Sequence, residues 1–312
     1  GFDGPGLDLL ALLHGSEGML GIVVEVTVQL LPIPKNIAVV LAAFNSVSEA
    51  AGTVNAIISQ GILPAGLEMM DRLAIKAAEA FVNVGYPLDA EGLLICELDG
   101  TDAEVQHQIE KLRLILDKNN AIQVRVATDA AERMQLWLGR KAAFPAVGRL
   151  APDYYCMDGT IPRSELAAVL AQITKFSEQH GLDVANVFHA GDGNLHPLIL
   201  YDANKAGEIE RAEAFGADIL NLCIEVGGTI TGEHGVGVEK IDQMCIQFTP
   251  EELELFHGVK SAFDESRILN PGKAVPTLSR CAEFGAMHVH TEGSQQTHVG
   301  LNAQKYSDLE RF

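Results

Sequence analysis

The chain has 312 residues, of which 47% are hydrophobic and 21% charged, so it holds enough apolar material for two packed domains or one large one. A formal net charge of −20 argues against nucleic acid or an anionic membrane as partner, since both are polyanions. Cys96, Cys156, Cys223, Cys245 and Cys281 form no Cys-x-x-Cys pair and are odd in number, which suits a reducing compartment and reduced thiols; no apolar run reaches the roughly twenty residues of a membrane span.

Residues 1–6 read as a loop and 7–13 as a short apolar segment. His14-Gly15-Ser16-Glu17-Gly18-Met19-Leu20-Gly21-Ile22 follows, leading into a β-branched stretch, 23–28, that is expected to be a strand. A glycine-rich turn of this kind is either an ordinary turn or one that brings backbone amides up to a phosphate or flavin ring. Pro32 and Pro34 mark a domain boundary, giving expected domains of 1–34 and 35–276 and an irregular tail, 277–312. The start at Gly1, with neither methionine nor a signal-peptide pattern, leads us to expect a piece of a longer protein.

Beyond the boundary, 36–44 is a nearly continuous apolar strand, and Ser46-x-x-Glu49 is a capping box opening a helix to about residue 60. A strand over 67–70, a helix over 71–81 and a strand over 92–98 come next. Thr101 caps a helix to 118; 122–127 is a strand; 130–143 is a helix ending near Pro145. Residues 154–161 are extended and 163–180 helical, followed by strands over 182–188 and 198–201 and a long helix over 205–226. Pro250-Glu251-Glu252 opens a last helix through 263, and Leu269-Asn270-Pro271-Gly272-Lys273 is a turn. This alternation predicts an α+β fold with ferredoxin-like β-α-β units on one mixed antiparallel sheet.

Between the strands at 182–188 and 198–201 lies Phe188-His189-Ala190-Gly191-Asp192-Gly193-Asn194-Leu195-His196-Pro197. Its small and polar residues make a tight turn, which would hold His189 and His196 close together. The glycine-rich stretch 227–237 adds Glu233-His234. Two imidazoles and a carboxylate can form an open site for a divalent metal. Neighbours in extended chain point opposite ways, so one of Glu233 and His234 can bind metal while the other faces substrate. The alternative is a loop rich in glycine for packing, with Glu233 in a salt bridge. Arg140, on an amphipathic helix, either forks onto a substrate carboxylate or is a solvated helix-face residue, and Arg149 and Arg163 have the same two readings. Lys273 is either a solvated turn residue or one that reaches a cofactor. The spacing of His288, His290 and His298 with Cys281 fits no metal pattern.

At His189-x-Gly191-Asp192-Gly193-Asn194-x-His196, together with Gly232-Glu233-His234-Gly235, the chain resembles the C-terminal part of the FAD-linked 2-hydroxyacid oxidases and dehydrogenases, which share the vanillyl-alcohol-oxidase flavin fold. Gly15-Ser16-Glu17-Gly18-x-Leu20-Gly21-Ile22 is similar to the last FAD-contacting loop of that fold, and Asn270-Pro271-Gly272-Lys273 to its terminal signature. The resemblance implies that His189, His196 and Glu233 ligate one divalent metal, Zn or Mn, and that His234 is the base near the flavin. It implies that Arg140 binds the substrate carboxylate, and that Gly15, Ser16, Glu17, Gly18, Gly21, Ile22 and Asn270 contact FAD. The implied reaction oxidises a small 2-hydroxy acid, glycolate or D-lactate, to the 2-oxo acid with hydride transfer to FAD. Phe144 and Cys156 stand where relatives acting on dicarboxylic hydroxyacids carry Thr and Lys, which favours a monocarboxylate. The family's N-terminal region, which holds most of the FAD, is not in these 312 residues, so 1–34 reads as the end of an FAD-binding domain. Further implications are partner subunits that carry flavin and iron–sulfur groups, a cytoplasmic location, and contact with a membrane only through those partners. The competing reading is a non-catalytic fragment, or an interaction subunit that docks to electron-transfer partners through its acidic surface and tail.

Overall fold

The structure is a computed structural model that describes residues 6–283. The described residues divide into two compact units, one of Leu30–Gly232 and one of residues 6–29 with 233–283. The second of these opens with α1 (Leu9–Leu13), whose Asp8 cap accepts a hydrogen bond from the Ala11 amide at 3.1 Å. The strand expected over 23–28 does not form. Residues 21–34 have no regular structure, and Val24 and Leu30 are 91% and 85% exposed. β-branched residues favour an extended backbone, but a strand also needs a ladder partner, and no described strand pairs with this stretch.

The Leu30–Gly232 unit is built on a sheet that starts with β1 (Asn36–Phe44), buried from Ala38 onward as a central strand must be. Ser46 caps α2 (Val47–Ser59) through its hydroxyl, which accepts from the Glu49 amide at 3.1 Å. The Glu49 carboxylate accepts from the Ser46 hydroxyl and not from the Ser46 amide, so only half of the expected capping box is present. Then come β2 (Gly66–Asp71), α3 (Arg72–Val82) capped by Asp71, β3 (Gly92–Gly100), α4 (Asp102–Lys118) with a complete Thr101–Glu104 capping box, and β4 (Gln123–Val126). These strands lie in the order β4-β1-β3-β2 with antiparallel ladders, the split β-α-β arrangement expected, with α3 inserted between β2 and β3.

α5 (Ala130–Val147) continues past residue 143, with Pro145 inside its last turn. Proline removes one amide donor, and the Gly148 amide still closes the turn on the Phe144 carbonyl at 3.3 Å. β5 (Asp153–Cys156), β6 (Gly159–Thr160), a single 3₁₀ turn at Arg163–Glu165 and α6 (Leu166–His180) follow. β7 (Val184–Phe188), β8 (Asn194–Leu195) and β9 (Pro197–Tyr201) complete the strands. β7, β9 and β5 extend the sheet beyond β2 to seven strands, while β6 and β8 pair separately. All the ladders are antiparallel. α7 (Glu208–Glu225) starts after Gly207 and packs beside β9. Leu41, Met70, Leu93, Ile95, Val187 and Leu198 lie in the buried core, each such side chain worth about 1.5–3 kcal/mol of transfer free energy.

The other unit resumes with α8 (Ile241–Gln247), which the sequence pattern did not suggest, and α9 (Pro250–Phe263), opened by a Thr249–Glu252 capping box. Residues 278–283, expected to be irregular, form α10 (Leu278–Glu283). Cys281 on α10 is disulfide-bonded to Cys245 on α8, with Cα atoms 5.3 Å apart. This corrects the expectation of five reduced thiols: two cysteines 36 residues apart are brought side by side by the fold. Cys96, Cys156 and Cys223 remain thiols, and burial pushes the Cys96 thiol up to about 12. His288, His290 and His298 lie outside the described residues. No described helix is long and apolar enough to cross a membrane.

Candidate active site

The turn between β7 and β8 sets the geometry of the histidine pair. The His189 carbonyl accepts from the Asp192 and Asn194 amides at 3.1 and 3.3 Å, which closes the turn. Gly193 at its tip has φ +75°, and a Cβ there would lie 2.2 Å from the Ile161 carbonyl oxygen. A side chain would therefore be both strained and blocked by backbone. The turn sets the His189 and His196 rings edge to face, with centroids 5.2 Å apart. His196 is 3% exposed, while the His189 side chain is 36% exposed.

Behind each imidazole lies a buried carboxylate, and neither was singled out in the sequence. Glu68, on β2, accepts from His189 Nδ1 through Oε1 at 2.8 Å. Its Oε2 accepts from Arg140 Nε at 2.9 Å and Nη2 at 2.8 Å. Arg140 is thus 7% exposed and paired, in contrast to a solvated helix-face residue. Asp158, fully buried between β5 and β6, accepts from the Thr231 hydroxyl at 2.6 Å and from the Gly232 amide at 3.0 Å through Oδ2. Its Oδ1 lies 3.5 Å from His196 Nε2. The only sequence signal for either carboxylate is an acidic residue inside an apolar run: Leu67-Glu68-Met69-Met70 and Cys156-Met157-Asp158.

Imidazole nitrogens and carboxylate oxygens are the donor types that a divalent cation such as Zn²⁺ or Mn²⁺ takes, but Glu68 is committed through both oxygens, to His189 and to Arg140. Phe144 follows Arg140 by one helical turn, on the same face of α5. Its ring meets His196 edge-on at 6.1 Å and Tyr154 at 6.4 Å, making an apolar wall beside the pair. The Cys156 thiol donates to the Met157 carbonyl at 3.4 Å. Arg163 donates to the Gly191 carbonyl at 2.9 Å and so braces the histidine turn, and the Arg149 guanidinium sits 5.6 Å over the Phe81 ring.

Within the unit that contains residues 6–29 and 233–283, several expected cofactor residues meet. The Glu17 carboxylate accepts from the Val236 and Gly237 amides at 2.7 and 2.8 Å. The Asn270 side chain donates to the Glu17 carbonyl at 2.5 Å. Lys260, which the sequence did not mark, is buried, and its ammonium donates to the carbonyls of Met19 and Leu269 at 2.7 and 2.6 Å. Gly235, with φ +87°, allows the Glu17 carboxylate to approach, since a Cβ there would sit 2.9 Å from Cδ of Glu17. Gly15, Ser16, Gly18 and Gly21 lie in the turn and extended chain around Glu17, Ile22 is 78% exposed, and Glu233 and His234 are exposed on their loop. The 14–22 loop is therefore tied to the loop that carries His234. Lys273 is partly exposed in its turn.

Residues 33–274 match the model of the family described as FAD linked oxidases, C-terminal domain. Over 288 residues the chain is 62% identical to glycolate oxidase subunit GlcD of Escherichia coli (strain K12), covering 92% of this chain and 58% of the relative. Over 275 residues it is 32% identical to the mitochondrial D-lactate dehydrogenase [cytochrome] of Arabidopsis thaliana, covering 87% of this chain and 48% of the relative. The chain thus spans about half the length of these curated relatives. Among solved structures, p-cresol methylhydroxylase with substrate bound aligns with a TM-score of 0.60 at 16% identity, covering 80% of this chain and 54% of that one. At that identity the alignment speaks for a shared fold alone.

Proposed function

The chain belongs to the FAD-linked oxidase C-terminal domain family, and from that premise we propose that it is the substrate- and metal-holding part of a flavin-dependent oxidase of small 2-hydroxy acids, glycolate or D-lactate. The observation that carries this reading is the His189–His196 pair, edged by Glu68 and Asp158, with Arg140 on the same Glu68 carboxylate. In this reading residues 1–34 close an FAD-binding domain, 35–276 form the substrate and metal domain, and 277–312 are a tail.

His189, His196 and Glu233 would hold the divalent ion, with Glu233 following Gly232 in the chain. Gly15, Ser16, Glu17, Gly18, Gly21, Ile22 and Asn270 would hold FAD. When bound, the ion supplies Lewis-acid polarisation of the substrate hydroxyl and FAD accepts the hydride. The chain's own residues do the rest. Arg140, fixed along its Nε–Nη2 edge, presents its Nη1 end to the substrate carboxylate. His234 takes the hydroxyl proton at its imidazole nitrogen. Phe144 offers no polar group to a second carboxylate, which favours a monocarboxylic substrate. The relatives' name as a glycolate oxidase subunit supports assembly with further subunits. We extend this to flavin- and iron–sulfur-bearing partners, a cytoplasmic location, and membrane contact through those partners.

The test is a chimera in which this chain replaces the matching part of the E. coli glycolate oxidase subunit. A flavin-loaded chimera should oxidise glycolate and D-lactate and leave 2-hydroxyglutarate largely untouched. A flavin-loaded chimera that oxidises neither small acid overturns the reading.

A further inference from the structure

Glu68 stands out because its strand should not contain it. On β2 its neighbours Leu67, Met69 and Met70 are 4%, 1% and 1% exposed, and Glu68 itself is 7% exposed between β3 and β7. A buried carboxylate is expensive unless it is paired and hydrogen-bonded. Even when paired, such a group is weak evidence for stability, because a well-packed apolar replacement is often neutral or better. The pairing is divided: Oε1 serves His189 and Oε2 serves Arg140. His189 comes from the turn after β7 and Arg140 from α5, so a single carboxylate joins two elements far apart in sequence.

The division has a chemical consequence for each partner. An imidazole that donates Nδ1–H to a carboxylate is held in the tautomer whose Nε2 carries the lone pair, the form that binds a metal. A guanidinium gripped along its Nε–Nη2 edge cannot rotate, so its Nη1 end keeps one direction. We propose that Glu68 is the positioning residue shared by the metal-ligating His189 and the substrate-binding Arg140, setting the tautomer of the one and the orientation of the other. This rests on the reading of the site given above. A relaxed metal ligand and a misdirected guanidinium would both follow from one substitution at this position.

The experiment uses the 312-residue chain and Co²⁺ as the probe, with Glu68→Gln as the variant. Gln keeps the shape of the side chain but has one oxygen acceptor for two donors. Co²⁺ affinity, by calorimetry, should fall about 10–100-fold, and the visible d–d spectrum of the Co²⁺ complex should change, while circular dichroism stays that of the parent. A folded variant with the parent's affinity and spectrum overturns the role of Glu68 and leaves the site reading standing. A parent chain that binds no Co²⁺ overturns both. The ¹⁵N spectrum of His189 in the parent decides the matter without any variant at Glu68: the Nδ1–H tautomer supports the proposal, and the Nε2–H tautomer overturns it. In the flavin-loaded chimera, Glu68→Gln should also raise the glycolate KM by a larger factor than it lowers kcat, a split that general loosening of the fold would not give.

Discussion

Asp158→Ala removes a fully buried carboxylate that pins the 231–232 turn. The lost interactions are the Thr231 hydroxyl bond at 2.6 Å and the Gly232 amide bond at 3.0 Å, both to a charged acceptor. Hydrogen bonds to charged groups contribute roughly 1.5–3 kcal/mol each. The Gly232 amide also donates to the Asp158 main-chain carbonyl at 2.9 Å, so it keeps a partner and its loss is partial. The Thr231 hydroxyl loses its charged acceptor outright. The expected cost is therefore about 2–4 kcal/mol, with Asp158→Asn costing roughly half of that because the amide oxygen still accepts from Thr231. Urea unfolding of the metal-stripped chain, followed by fluorescence of its single tryptophan, Trp137 in α5, reads this as a lower midpoint at unchanged slope. A midpoint shift worth less than about 0.5 kcal/mol for the alanine variant would refute the clamp reading of Asp158.

Three further outcomes are expected. If the proposed metal site is right, His189→Ala with His196→Ala should lower the divalent-metal content of the purified chain, and elemental analysis that finds parent metal content in the double variant contradicts the ligand assignment. Flavin titration by fluorescence should show weak or no FAD binding to the 312-residue chain, because most of the expected FAD contacts lie outside it; a tight one-to-one complex contradicts this. Asp71, which accepts from the Ala74 and Asn186 amides, is pushed up by burial from 3.8 to about 6. Its folded value lies above its unfolded one, so the folded state holds the proton more tightly, and stability is lost as pH rises through that window. The parent should therefore lose stability relative to Asp71→Asn between about pH 4 and about pH 7, whereas a difference that does not vary with pH would contradict the assignment.

Local signals carried well from sequence to structure. Thr101 begins its helix where the capping pattern placed it, and Ser46 caps with one of its two expected bonds. The histidine turn was legible because glycine and Asp-Asn chemistry declares a tight turn, and the turn alone brings the two rings together. Glu68 was not legible: its partners lie 72 and 121 residues away, and a lone acidic residue in an apolar strand carries no spacing that names them. Asp158 is hidden in the same way, 73 residues from Thr231. The disulfide depends on the packing of α10 against α8, which no cysteine spacing encodes. The missing strand over 23–28 shows the limit of propensity, since extended shape is local but ladder pairing is not.

The central claim is that this chain supplies the proton-accepting and substrate-orienting groups of a flavin-dependent hydroxyacid oxidase. The most direct measurement is the rate at which glycolate bleaches the flavin of the chimera under anaerobic conditions, compared with the same chimera bearing His234→Ala. General-base catalysis is typically worth about 10²–10⁴ in rate, so bleaching should slow by about that factor while metal and flavin content stay at parent levels. A His234→Ala chimera that bleaches at the parent rate would contradict the account.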